Sequence, residues 1–269
     1  MRITCLMENT ACSTELAAEH GLSLHIDLGP RRILFDMGQT EQFACNARLL
    51  GVDLDRVDTA VLSHGHYDHG GGMDCFLRTN DHAMVYHAAA AFGGHYHGPE
   101  KYIGLDPALK GNPRLIPVED AADLGDGITL HTCADRMLAH PIDNAGLTVC
   151  RAGQFLPETF AHEQYMLICR EGRRVLISGC SHRGIANIVS WFRPDVVVGG
   201  FHLMKMDPQN PAHAAKLEAL ACELLDSGAS FHTCHCTGEP AFDFLKARMG
   251  RRLSYLRAGE SITLQKYII

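Results

Sequence analysis

Residues 64–69 read His-Gly-His-Tyr-Asp-His and follow directly on the apolar stretch Thr59-Ala60-Val61-Leu62-Ser63. Neutral imidazole and carboxylate are the usual ligands of zinc, iron and manganese. In extended backbone, residues two apart point to the same side. His64 and His66 can therefore close on one metal while Asp68 and His69, where the chain turns, reach a second. Gly70, Gly71 and Gly72 come next and allow sharp turning and close backbone approach.

Two metal spheres need more donors than one turn holds, and three buried-strand patterns end on them. Leu176-Ile177-Ser178-Gly179 runs into Cys180-Ser181-His182, Val196-Val197-Val198-Gly199-Gly200 into Phe201-His202, and Phe231-His232-Thr233-Cys234 into His235-Cys236. Loops at such ends carry function on a rigid scaffold. His182 and His235 read as ligands, and His202 as a ligand or a substrate contact. Cys180 reads either as a thiolate ligand or as a small buried hydrophobe. Cys234 and Cys236 point away from the site if the strand continues, which assigns them to the core. Asp36, at the end of Ile33-Leu34-Phe35, is placed to accept a hydrogen bond from a ligand imidazole and fix its tautomer, with a plain Asx turn as the alternative. His95 and His97 read as exposed loop residues, with a substrate-facing lid as the alternative. His20, His25, His82, His131, His140, His162 and His213 belong to no constellation and read as structural.

Leu22, Leu24, Ile26 and Leu28 alternate with polar residues as in a half-buried strand. Gly29-Pro30 turns the chain into a returning strand, and a helix over about 41–50 precedes the strand that bears the histidine turn. Further strands are expected at 83–87, 114–118, 128–132, 147–150 and 164–170. The second half alternates strand and helix: strands at 175–178, 195–198, 230–234 and 262–267, and helices at 184–192, from Pro211 to Gly228, and at 239–249. In the long helix Leu217, Leu220, Leu224 and Leu225 form the expected buried face. This order suggests two sheets packed together with helices outside. No linker or repeat interrupts the chain, so one domain over 1–269 is expected. The aperiodic stretch 92–112 reads as a long loop and lid candidate.

The net charge of −7 and pI near 6.2 argue against a nucleic-acid surface and for a small-molecule substrate. No apolar run of about 18 residues is present, so no membrane span is expected. The first ten residues lack the pattern of a signal peptide. Eleven cysteines without a CxxC pair fit reduced thiols in the cytoplasm. Monomer and homo-oligomer both stay open.

These residues resemble the metallo-β-lactamase superfamily: HxHxDH at 64–69, Leu-Phe-Asp-Met-Gly at 34–38, and the His-bearing strand ends in this order. The resemblance covers essentially the whole chain and implies an α/β, four-layer αββα sandwich with metals at one edge. Glu8-Asn9-Thr10, 19–23, 179–182, 199–203 and 235–238 look like the subgroup of the 7,8-dihydropterin-6-methyl-4-(β-D-ribofuranosyl)aminobenzene-5′-phosphate synthase. The superfamily's bridging Asp is replaced here by Cys180. The resemblance implies one or two divalent ions, zinc first with iron or manganese as alternatives. His64, His66 and His182 would hold one and Asp68, His69 and His235 the other. Asp68 and His202 are the expected catalytic residues. A metal bound by several imidazoles lowers the pKa of its water toward about 7. Hydrolysis of a small, phosphate-containing substrate by the resulting hydroxide is therefore the first expectation. Pterin transfer with loss of pyrophosphate is the second, and a non-enzymatic metal-dependent sensor the third.

Overall fold

The computed structural model describes residues 1–264. Two seven-stranded sheets face each other. In spatial order the first holds strands Ser261–Thr263, Arg2–Met7, Ser23–Asp27, Arg32–Phe35, Thr59–Leu62, Met84–Ala88 and Leu115–Val118. The second holds Leu253–Tyr255, Ser230–Thr233, Val196–Val198, Arg173–Ile177, Tyr165–Arg170, Ile128–His131 and Ala121–Gly125. Inward side chains of both, among them Ile3, Leu24, Val61, Met166, Ile177 and Val198, fill the space between them. Helices Gln42–Leu49 and Met73–Thr79 pack on the outer face of the first sheet. Helices Ile185–Phe192, Pro211–Asp226 and Glu239–Met249 cover the second. The result is the four-layer αββα sandwich. No helix among the described residues is long and apolar enough to cross a membrane.

The central strands explain why the chain could be read. Thr59–Leu62 pairs in parallel with neighbours on both sides and is buried at every position. A strand covered on both faces must be continuously apolar, as this one nearly is. The long helix opens where Asn210 accepts from Ala212 N at 2.9 Å, with Pro211 in the first turn. Leu217 and Leu224 are buried in it as expected, but Leu225 is exposed, because the apolar stripe turns toward Ala221 instead.

Other differences come from short elements. The stretch 92–112 is not one long loop: Gly94–His97 and Lys101–Tyr102 join Leu147–Arg151 and Gln154–Pro157 in a small four-stranded sheet. Strands of two to five residues give too short a window for a period of two to register. The expected last strand is found at Ser261–Thr263, and residues 265–267 of that expectation lie outside the described residues.

The four strands 32–35, 59–62, 84–88 and 115–118 run parallel, as do 173–177, 196–198, 230–233 and 253–255. Asp36, the histidine turn, Cys180, His182, His202 and His235 all lie just past the carboxyl ends of these strands, the end at which open α/β sheets place their sites. The turn itself is wedged against loop 37–40. A Cβ at Gly71 would lie 2.1 Å from Gln39 O and 2.6 Å from Tyr67 O. Gly71→Ala should therefore destabilise the fold by about 1–3 kcal/mol, each kcal/mol lowering Tm by about 2–4 °C in a melt of the metal-free protein. An unchanged Tm would mean that loop 37–40 yields freely.

Candidate metal centre

The HxHxDH residues sit at one edge of the sandwich. His64 leaves strand 59–62, His66 precedes the short helical turn Tyr67–Gly70, and Asp68 and His69 lie within it. A network of hydrogen bonds fixes which ring nitrogen each histidine presents. Asp36 is fully buried; its Oδ1 accepts Ser63 N (2.7 Å), and its Oδ2 accepts Ser63 Oγ (2.7 Å) and His69 Nδ1 (2.6 Å). Ser63 Oγ, its proton committed to Asp36, accepts from His64 Nδ1 at 2.8 Å. His235 Nδ1 donates to Asn9 Oδ1 at 2.7 Å, and His235 N donates to Glu8 Oε1 at 2.6 Å. Each of these three rings is thus held through Nδ1, which turns its Nε2 toward the centre, the usual arrangement behind metal-binding histidines.

These nitrogens converge. His64 Nε2 and His182 Nε2 are 3.3 Å apart, and two nitrogens on one tetrahedral zinc would be separated by about 3.3 Å, given Zn–N bonds of about 2.05 Å. His66 joins these two in a ligand-spaced group. On the other side, Asp68 Oδ2 lies 3.4 Å from His235 Nε2, 3.7 Å from His69 Nε2 and 3.2 Å from His20 Nε2. Cys180 Sγ stands between the two sets, 3.2 Å from His69 Nε2, and shares ligand-spaced groups with both. His66 Nε2, His182 Nδ1, His202 Nδ1 and His235 Nε2 are buried without a hydrogen-bond partner. Buried polar atoms are rarely left bare, so the donor set fits a metal ion.

Electrostatics prepare the two halves differently. Burial holds the His64 and His182 rings well below the ordinary histidine range and lowers His66 to about 3. These rings are therefore neutral donors at neutral pH. Burial also opposes charge on His69, but Asp36 and Asp68 outweigh it and push the ring up to about 9. Burial would likewise raise Asp68, yet the neighbouring His69, His20 and His235 rings hold its carboxyl well below the usual range. Burial pushes the Cys180 thiol up. Asp36, Ser181, His202 and His235 all have positive φ, between 49° and 60°. For residues with a Cβ, such backbone costs about 1–3 kcal/mol each and clusters at functional sites.

Several residues given no role by the sequence stand here. His20 is a half-exposed neighbour of Asp68, with its Nδ1 facing Asn9 Nδ2 at 3.4 Å. His95 is buried, not exposed, and with His162 it packs behind His66, ring centroids 5.9 and 5.0 Å away. Cys236 does not point into the core. The strand stops at Thr233, the chain turns through 235–237, and Cys236 Sγ accepts His202 N at 3.2 Å on the cavity wall. Cys234 does lie in the core. A cavity of about 750 Å³ opens above the centre, with His66, Asp68, Cys180, His182, His202 and His235 on its floor.

Comparison with known proteins bears on the family and the fold. The profile of the metallo-beta-lactamase superfamily matches residues 23–141. The crystal structure of Tm1679, a metal-dependent hydrolase of the beta-lactamase superfamily, is 31% identical, covers 98% of this chain and 99% of its own, and superposes with a TM-score of 0.83. The chain belongs to the metallo-β-lactamase superfamily. Two relatives come from Methanocaldococcus jannaschii. Protein MJ0448 is 30% identical over 213 residues, 75% of this chain and 79% of its own. The 7,8-dihydropterin-6-methyl-4-(β-D-ribofuranosyl)-aminobenzene-5′-phosphate synthase is 26% identical over 270 residues, 91% of this chain and 90% of its own. Within the superfamily fold, the Glu8-Asn9-Thr10 run now has a physical task, since Glu8 and Asn9 hold His235.

The raised pKa of His69 gives a sign to metal uptake. Below about pH 9 the metal-free ring is protonated, and a ligand must lose its proton. Zinc uptake at pH 7.5 should release at least one proton per chain, measured in weak buffer. Apparent affinity should rise about tenfold per pH unit for this proton and level off above pH 9. Asp36→Asn should reduce the release.

Proposed function

We propose that this chain is a metal-dependent hydrolase acting on a small substrate that joins a phosphate-type anionic group to a larger apolar body. The observation that carries this reading is the set of bare, buried imidazole nitrogens on the floor of an open cavity. His64, His66 and His182 would hold one divalent ion and Asp68, His69 and His235 a second, with zinc preferred by this mixture of imidazole and nearby thiol. Bound there, such ions supply Lewis-acid polarisation of the ester and a water-derived nucleophile at neutral pH.

The chain's own groups do the rest. Lys101, Lys205 and Lys216 on the cavity wall suit an anionic group, while Ile142, Leu147, Leu203, Met206 and Leu220 exclude water from an apolar body. Asp68 Oδ2, ringed by three imidazoles, orients whatever approaches it. His202 lies 4.2 Å from His182, ring to ring, with its Nδ1 unpartnered. Burial opposes its charge, but its hydrogen bond with Cys236 outweighs that and raises its pKa. It can therefore hold a proton and give it up to a leaving group. The net charge of −7 goes with a small-molecule substrate rather than nucleic acid.

A second reading is favoured by the synthase relative, which matches 91% of this chain, and by a cavity roomier than a simple phosphoester needs. It joins a dihydropterin to an aminobenzene ribose phosphate with loss of pyrophosphate, and the same lysines would receive the pyrophosphate.

Metal analysis together with activity on phosphodiester, lactone and dihydropterin-pyrophosphate substrates decides between them. Metal-dependent phosphodiester cleavage is expected. His202→Ala should lower kcat/KM by about 10²–10⁴-fold with metal content retained, and His66→Ala should lose the ion of the His64–His66–His182 half and, with it, activity. Turnover confined to the pterin pair would select the synthase. Metal saturation with no turnover at all would leave a sensor.

A further inference from the structure

The groups that fix the two halves of the centre come from different parts of the chain. Glu8 and Asn9 hold His235, His20 faces Asp68, and Asp36 holds His69. Apart from the Asp36–Ser63 link to His64 Nδ1, the His64–His66–His182 half leans on the irregular segment 158–163, between strands 154–157 and 165–170, for which neither the mechanism nor the sequence supplied a role.

This segment is a buried polar clamp. Glu158 Oε1 accepts Thr159 N and Phe160 N, both at 3.0 Å, which locks the carboxylate in place. Its Oε2 accepts His95 Nδ1 at 2.8 Å and faces His162 Nε2 at 3.6 Å. His162 Nδ1 accepts the backbone N–H of Gly65 at 2.9 Å, so the ring proton resides on Nε2, toward Glu158. Gly65 lies between His64 and His66, and a Cβ there would meet Ala91 O at 2.1 Å, so the backbone is gripped from both sides. Two residues before His162, the Phe160 ring stacks on His182, with centroids 4.4 Å apart and planes 7° from parallel. One residue after it, Glu163 Oε1 accepts His182 N at 2.8 Å. The segment thus grips the backbone between two of these rings and both the ring and the amide of the third.

We propose that the Glu158–His162 clamp, with Phe160 and Glu163 beside it, is a positioning device dedicated to the His64–His66–His182 half of the centre. The inference rests on the two-ion reading above only for the number of binding steps. Its residues touch the ligands' supports and not the reacting atoms, so their loss moves one binding step and leaves the other.

Zinc titration of the metal-free protein against a competing chelator tests it. His66→Ala and His235→Ala assign the two steps. His162→Phe keeps a ring of similar shape but removes the acceptor for Gly65 N. It should weaken the His66-dependent step by about 10–100-fold, leave the other within about threefold, and leave the circular dichroism of the metal-free protein unchanged. Glu158→Gln, nearly isosteric, should weaken the same step and carries the test if His162→Phe does not fold. Asn9→Ala should weaken the opposite step. Equal weakening of both steps by His162→Phe or Glu158→Gln, or weakening of neither, overturns the clamp. A wild-type stoichiometry of one zinc would refute the two-ion reading alone. The clamp would then still require His162→Phe to weaken that ion and Asn9→Ala to spare it, and the reverse pattern would sink it.

Discussion

The Asp36 carboxylate is fully buried and binds the His69 ring at 2.6 Å. A buried charge is tolerable only when its oxygens are saturated with good donors, and Ser63 supplies two more through its amide and hydroxyl. That single group ties the end of strand 32–35 to the end of strand 59–62 and sets the tautomers of two histidines at once. If Asp36 did not hold Nδ1 of His69, and that of His64 through Ser63, their Nε2 atoms would not be turned toward the centre. The centre would then be an ordinary cluster of hydrogen-bonded rings.

The strained backbone at Asp36, Ser181, His202 and His235 follows from the same requirement. Each lies just past a strand, where the chain must turn abruptly for its side chain to enter the gap between the two sheets rather than follow the pleat. The sheets can bear this because the strands behind those turns end on fully buried residues, Phe35, Ile177, Val198 and Thr233. Rigidity lies in the sandwich, and the strain lies at its edge.

What the sequence revealed and what it hid divide along a physical line. The HxHxDH turn and the histidines after Ile177, Val198 and Thr233 were legible because each stands just past a strand-like run, and that local signal locates both the strand and its end. His162, Glu158 and His95 were not. Their partners lie 97 and 63 residues away, and their own neighbourhood consists of short strands and turns without a period. His20 was hidden for the same reason, since only the fold brings it to Asp68. Cys236 was misjudged because its direction was inferred from a strand assumed to continue, whereas the chain leaves the pleat after Thr233. The four-layer architecture was carried by alternation of elements, but the small third sheet was not, for want of length.

The hydrogen bond from His235 N to Glu8 Oε1 spans 227 residues, and the strand that ends just before Glu8 lies beside the strand at 261–263. A chain emerging from the ribosome completes its N-terminal strands first, yet Glu8 must wait for almost the whole remainder before its partner exists. Until then its carboxylate and the Asn9 amide have nothing to hold, and the HxHxDH turn has neither His182 nor His235 opposite it. The full donor set is thus assembled only toward the end of synthesis. A chain that stops short of His182 and His235 would carry every residue of the conspicuous motif and still lack the donors that face it.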